Sequence, residues 1–87
     1  MKLKEKHVTI YLSDFCMKCS LVVEWLNHHG VEYTKKFVDD TEDEEQKANR
    51  HKITRIGMYD LPVIETDDGV MFFGFPFAFL EEYLMEP

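Results

Sequence analysis

A chain of 87 residues with 45% hydrophobic and 14% aromatic side chains can build one small core, which excludes an intrinsically disordered chain. Its net charge of -7 argues against nucleic acid as a partner, because such surfaces need a basic field. No apolar run approaches the ~20 residues that span a bilayer, and the charged start Met1-Lys2-Leu3-Lys4-Glu5-Lys6 has no apolar stretch of the secretory kind behind it. The expectation is a single domain over residues 1–87, monomeric, off the membrane and cytoplasmic, where thiols are kept reduced.

His7-Val8-Thr9-Ile10-Tyr11-Leu12 is rich in β-branched and aromatic residues and predicts a strand. Ser13, Asp14 and Phe15 form a turn, with Ser13 or Asp14 able to cap the next helix. Cys16 to His29 predicts that helix, since Cys19, Val22, Val23 and Leu26 recur at spacings of three and four and Trp25, beside Leu21, flanks that face. Gly30 ends it, because glycine takes the left-handed conformation without a Cβ clash. His28 and His29 suit the negative end of the helix dipole, a simpler account of that pair than a metal site.

Val31 to Val38 predicts a second strand, packed through Val31, Tyr33 and Phe37. A second helix is expected from Thr41 or Glu42 to about Ile53, acidic at its start and basic at its end (Lys47, Arg50, His51, Lys52). The acidic run Asp39, Asp40, Glu42, Asp43, Glu44 and Glu45 reads as a solvated loop and helix start, with docking of a basic partner as the alternative. Leu61 to Thr66 and Val70 to Phe73 predict a hairpin around Asp67-Asp68-Gly69. Pro76 suits the first turn of a last helix with Phe77, Leu80, Tyr83 and Leu84 as its buried stripe. The order is strand-helix-strand-helix-strand-strand-helix, an α/β chain whose first two strands, joined by a helix, run parallel.

The chemistry-bearing motif is Cys16-Met17-Lys18-Cys19, and the chain has no other cysteine. The pair closes too short a loop to staple a fold. Three readings stand: a redox dithiol, half of a zinc site, or two inert core cysteines. A zinc site needs two more ligands, and His7, His28, His29 and His51 make no familiar ligand spacing. The position between a strand and a helix favours redox chemistry. A helix N-terminus offers unpaired N–H groups and positive partial charge, which suit a thiolate. Cys16 is therefore the expected exposed nucleophile, and Cys19, a turn further in, the expected resolving cysteine. Lys18 adds positive charge beside them and Asp14 opposes it.

The C-x-x-C after strand one, Leu61-Pro62-Val63-Ile64, and Gly74-Phe75-Pro76 before the last helix together resemble the glutaredoxin family over nearly all 87 residues. The resemblance implies a thioredoxin-like fold, a four-stranded mixed sheet flanked by three helices (βαβαββα). It implies a cis bond before Pro62, with the backbone of Leu61 turned toward an extended substrate. Gly57-Met58-Tyr59-Asp60-Leu61-Pro62-Val63-Ile64 followed by Gly74-Phe75-Pro76 looks more like the NrdH-redoxins, which take electrons from thioredoxin reductase and pass them to ribonucleotide reductase. Met17-Lys18 replaces the frequent Pro-Tyr. Asp60 stands where glutathione-using members often carry Thr, and Gly74-Phe75-Pro76-Phe77-Ala78 lacks their Asp; both point away from glutathione.

The expected function is thus a thiol–disulfide oxidoreductase acting on protein disulfides, with ribonucleotide reductase among the candidate clients. Cys16 and Cys19 are its catalytic pair, and Leu61, Pro62, Phe15, Met17, Lys18, Gly74 and Phe75 its substrate-binding residues. Around the cysteines Phe15, Met17, Met58, Tyr59, Phe75 and Phe77 divide between rim and core, with Phe15, Met17 and Phe75 assigned to the rim. No bound cofactor or metal is expected beyond the Cys16–Cys19 disulfide itself. A flavoprotein thioredoxin reductase is the favoured reductant. Glutathione, gripped through Lys47, Arg50, Lys52 or Arg55, is the rival, and a non-catalytic thioredoxin-fold or zinc-binding adaptor is the rival of a different class.

Overall fold

In the computed structural model the β-branched run near the start of the chain is a central strand. The structure describes residues 2–3, 7–58, 60–73, 80–82 and 85–86, the first and last pairs by backbone alone. In chain order the elements are β1 (Lys2–Leu3), β2 (His7–Leu12), α1 (Met17–His28), β3 (Glu32–Phe37), α2 (Glu44–Arg55), β4 (Val63–Thr66), β5 (Met71–Phe73) and β6 (Met85–Glu86). Residues 80–82 are helical and belong to the third helix of the fold. The remainder of that predicted helix, with Pro76, Phe77, Tyr83 and Leu84, lies outside the described residues, as do Tyr59, Gly74 and Phe75.

The main sheet has the order β3-β2-β4-β5. β2 pairs parallel with β3, from His7↔Glu32 to Leu12↔Phe37, and antiparallel with β4, from Val8↔Thr66 to Tyr11↔Val63. β4 and β5 form the expected antiparallel hairpin. Side chains alternate across β2, so its two faces build two cores. Val8, Ile10 and Leu12 pack with Cys19, Val22 and Leu26 of α1, with Ile64 and with Leu80. Tyr11 and Val63 pack on the other face with Val38 and Ile53 of α2. One helix therefore sits on each face of the sheet, and the apolar stripe of α1 falls where the sequence spacing puts it.

Both long helices end in the same device. Gly30 has φ of 68° and Gly57 has φ of 83°, the left-handed region that favours glycine. After α1, Gly30 N–H bonds Asn27 O (3.2 Å) and Val31 N–H bonds Leu26 O (2.9 Å). After α2, Gly57 N–H bonds Thr54 O (3.0 Å) and Met58 N–H bonds Ile53 O (3.0 Å). Each pair is a Schellman closure that satisfies the last carbonyls and turns the chain back toward the sheet.

Two expected elements shift by two residues or more, and one pairing is new. α2 starts at Glu44 rather than Thr41 or Glu42, and runs two residues past Ile53. The reason is local: Asp40 Oδ1 accepts from Glu42 N–H at 2.9 Å and Asp43 Oδ2 accepts from Gln46 N–H at 2.9 Å, so residues 40–43 form a turn and Asp43 is the cap. β4 begins at Val63, because Pro62 carries no N–H for a ladder and the Leu61–Pro62 bond is cis. The pairing of β1 with β6, Lys2↔Glu86 and Leu3↔Met85, has no counterpart in the sequence reading. Two-residue strands are too short to carry a periodic signal.

Leu26 is fully buried between α1 and the sheet, so Leu26→Ala should lower unfolding stability by about 2–5 kcal/mol. Asp43→Ala removes one cap and should cost about 1 kcal/mol. Urea unfolding followed by circular dichroism checks the order; equal losses would contradict a core centred on Leu26.

Candidate active site

The sheet register brings three chain segments to one edge. β2 ends at Leu12 and leads directly into the cysteine turn. The parallel pair Leu12↔Phe37 sets Val38 and Asp39 beside that turn. Extending the antiparallel register one step past Tyr11↔Val63 sets Pro62 across from Leu12. The cysteines, the acidic residue after β3 and the proline loop thus share the C-terminal end of β2. Leu61 and Cys16 both pack against the core that contains Cys19.

The turn is held by three donating backbone N–H groups. Cys16 N–H donates to Ser13 O (3.3 Å), Phe15 N–H to Ser13 Oγ (3.1 Å), and Asp14 N–H to Asp39 Oδ2 (2.9 Å). Ser13 and Asp14 were the expected caps of α1. The cap is Cys16 itself, extended at φ -104° and ψ 109°, with its Sγ accepting from Cys19 N–H at 3.1 Å. Ser13 and Asp14 stand three and two residues ahead of the cap position, and the Ser13 hydroxyl accepts from Phe15 N–H within the turn instead.

The two thiols occupy different environments, and neither is in a disulfide. Cys16 is half-buried, with its sulfur at the mouth of the helix; Cys19 is 1% exposed, inside the α1 core. Burial pushes the Cys19 thiol up to about 12, with the Cys16 sulfur and, more weakly, the charge of Asp39 adding to the rise.

Phe15 is 94% exposed and Met17 80% exposed, as expected of rim residues. Leu21 was missed: it is 39% exposed and follows Met17 by four residues, which extends the apolar rim along α1. The i, i+4 spacing was the available signal. Met58 packs in the core with α2. Leu61 is half-buried, Pro62 is fully buried behind it, and Lys18 is exposed. The predicted binding residues Gly74 and Phe75 lie outside the described residues. Among the described residues no cluster of three or more His, Cys, Asp or Glu side chains could hold a metal ion, and no helix is long and apolar enough to cross a membrane.

Similarity to known proteins follows the same outline. A glutaredoxin from Archaeoglobus fulgidus superposes with a TM-score of 0.73 at 30% identity, over 86% of this chain and 82% of that one. The thioredoxin-like protein BC3987 gives 0.68 at 25% identity, over 86% and 96%. The fold and the strand-to-helix cysteine pair define a small thioredoxin-fold redoxin class. The glutaredoxin family model matches residues 8–71, and the glutaredoxin-like protein NrdH of Lactococcus lactis subsp. cremoris is 34% identical over 61 residues, 70% of this chain and 78% of that protein. The chain belongs to the glutaredoxin family, in its glutaredoxin-like NrdH-type branch.

Unequal thiols have a direct chemical readout. Iodoacetamide at neutral to mildly alkaline pH should alkylate Cys16 and spare Cys19 in the folded protein, while both react in denaturant. Cys19 stays protonated through this range because burial in the α1 core holds its ionisation well above the ordinary thiol range. Peptide mass spectrometry would detect equal native labelling, which would contradict the burial of Cys19.

Proposed function

We propose that the chain is a dithiol oxidoreductase that reduces protein disulfides. The observation that carries the reading is the offset of the two sulfurs: Cys16 Sγ at the accessible start of α1, and Cys19 one turn behind it with its N–H bonded to that sulfur. The Cys16 thiolate attacks one sulfur of the substrate disulfide, the other leaves as a thiolate, and a mixed disulfide forms. Cys19 then attacks Cys16 Sγ, releasing the second substrate sulfur and leaving the protein oxidised as a Cys16–Cys19 disulfide. The N–H of Cys19 is placed to donate to negative charge on Cys16. Exposed Phe15, Met17 and Leu21 give a protein substrate an apolar rim. The edge backbone at Leu61, ahead of Pro62, is the surface an extended segment would pair with.

The reductant we favour is a flavoprotein thioredoxin reductase, with ribonucleotide reductase among the clients. Two of the four cations available to a glutathione carboxylate are already engaged. Lys52 Nζ lies 3.1 Å from Glu65 Oε1, and Arg50 Nη1 donates to Val38 O at 3.0 Å. Asp14 and Asp60 are exposed on either side of the site and would repel an anionic tripeptide.

Coupled turnover of a model disulfide should proceed with NADPH and thioredoxin reductase and be slow with glutathione and its reductase; turnover with glutathione alone would overturn the donor assignment. Cys19→Ser should accumulate substrate proteins as mixed disulfides on Cys16, seen on non-reducing gels, while Cys16→Ser should lose all turnover. If Cys19→Ser traps nothing and Cys16→Ser is as active as the parent, the dithiol reading is wrong.

A further inference from the structure

The dithiol scheme leaves the resolving thiol with an unsolved problem. Cys19 must lose a proton before it attacks Cys16, yet its burial and the nearby negative charge both hold that proton on. A route for that proton is offered by an opening beside α1 that reaches Cys19. A cleft of about 300 Å³ lies between α1, the end of β2 and β3, lined by Cys19 and Ser20, by Leu12, Ser13 and Asp14, and by Val23, Glu24, Lys35 and Phe37. It is large enough for several waters, and its polar walls supply their partners.

The charged groups that line the cleft or act on Cys19 come from three parts of the chain. On α1 they are Cys16 and Glu24; on the turn after β2, Asp14; on β3 and the segment after it, Lys35 and Asp39. Asp14 and Glu24 are exposed. Asp39 is half-buried, its field reaches the Cys19 sulfur, and its Oδ2 is held by the N–H of Asp14, a wall residue of the cleft.

We infer that Asp39 takes the proton of Cys19 through water in this cleft as the mixed disulfide is resolved. The inference rests on the dithiol reading. The Cys19 S–H bond breaks, and its proton passes by water to the Asp39 carboxylate. The Cys19 thiolate bonds to Cys16 Sγ, and the Cys16–substrate bond breaks with its electron pair on the substrate sulfur. That sulfur takes a proton from solvent, the substrate is reduced, and the protein disulfide awaits the external dithiol or hydride-fed flavoprotein. Asp39 is a positioning and relay residue that acts through water, and Lys35 in the cleft offsets the charge that moves.

Charge alone predicts the opposite behaviour, which makes the inference testable. Asp39 by its field makes Cys19 harder to ionise, so Asp39→Asn would speed resolution if the field were its whole effect. As a proton acceptor its loss slows resolution. Asn keeps an oxygen for the Asp14 N–H, so the turn is preserved. The reduced protein is mixed with dipyridyl disulfide, which releases one absorbing thione when Cys16 attacks and a second when Cys19 resolves. For Asp39→Asn we expect an unchanged first phase and a second phase slowed by about tenfold or more; Glu24→Gln should leave both phases unchanged. A second phase that is equal or faster in Asp39→Asn, or slowed only by Glu24→Gln, overturns the inference and leaves the dithiol reading intact. Absence of a first phase in the parent protein defeats the dithiol reading itself.

The parent protein carries the test even if Asp39→Asn fails to fold. Its second phase should vary little with pH through the neutral range, because a fixed acceptor rather than hydroxide takes the proton. A rate that climbs about tenfold per pH unit throughout, following thiol ionisation alone, overturns the inference.

Discussion

The hydrogen bond from Cys19 N–H to Cys16 Sγ sets the starting point of α1, and the site depends on where that helix starts. With sulfur as the cap, the first turn of α1 presents its unpaired N–H groups to Cys16, while the next residue on the same face, Cys19, is carried into the core. One helical turn therefore separates an accessible thiol from a buried one, although the two differ by only three positions in the chain. An ordinary Ser or Asp cap would do the same for helix stability; a cysteine cap adds the reactive atom at that point.

That arrangement holds only because β2 is fixed on both sides. Its parallel partner β3 brings Asp39 to the cysteine turn, where the Asp14 N–H binds it. Its antiparallel partner β4 brings Pro62 to the same edge. A shift of either strand by one residue would exchange the faces of the sheet and take apart both cores. The two-sided packing, Val8, Ile10 and Leu12 against α1 and Tyr11 against α2, is what opposes such a shift.

Burial of the second thiol has two effects. It takes Cys19 out of contact with solvent, and it suppresses the thiolate that the proposed resolution step would need. The cleft lined by Cys19 gives this buried thiol a polar path to solvent, which the proposed proton transfer uses.

Most of the fold was legible from local pattern. The β-branched run at His7–Leu12, the stripe Cys19-Val22-Leu26, and Gly30 at the end of the first helix are short-range signals that each act within a few residues. The Cys-x-x-Cys pair and its place before a helix were equally local, and so was the exposure of Phe15 and Met17 beside it. What only the tertiary structure decided depends on strand register: Asp39 beside Asp14, Pro62 across from Leu12, the cleft behind Cys19, and the β1–β6 pairing. Asp39 and Asp14 lie 25 positions apart, and the other partners come from separate elements of the chain or from strands too short to mark themselves, so no short window contains both halves of the contact. The chain by itself determined which atoms could react; the packing of the sheet decided which groups stand next to them.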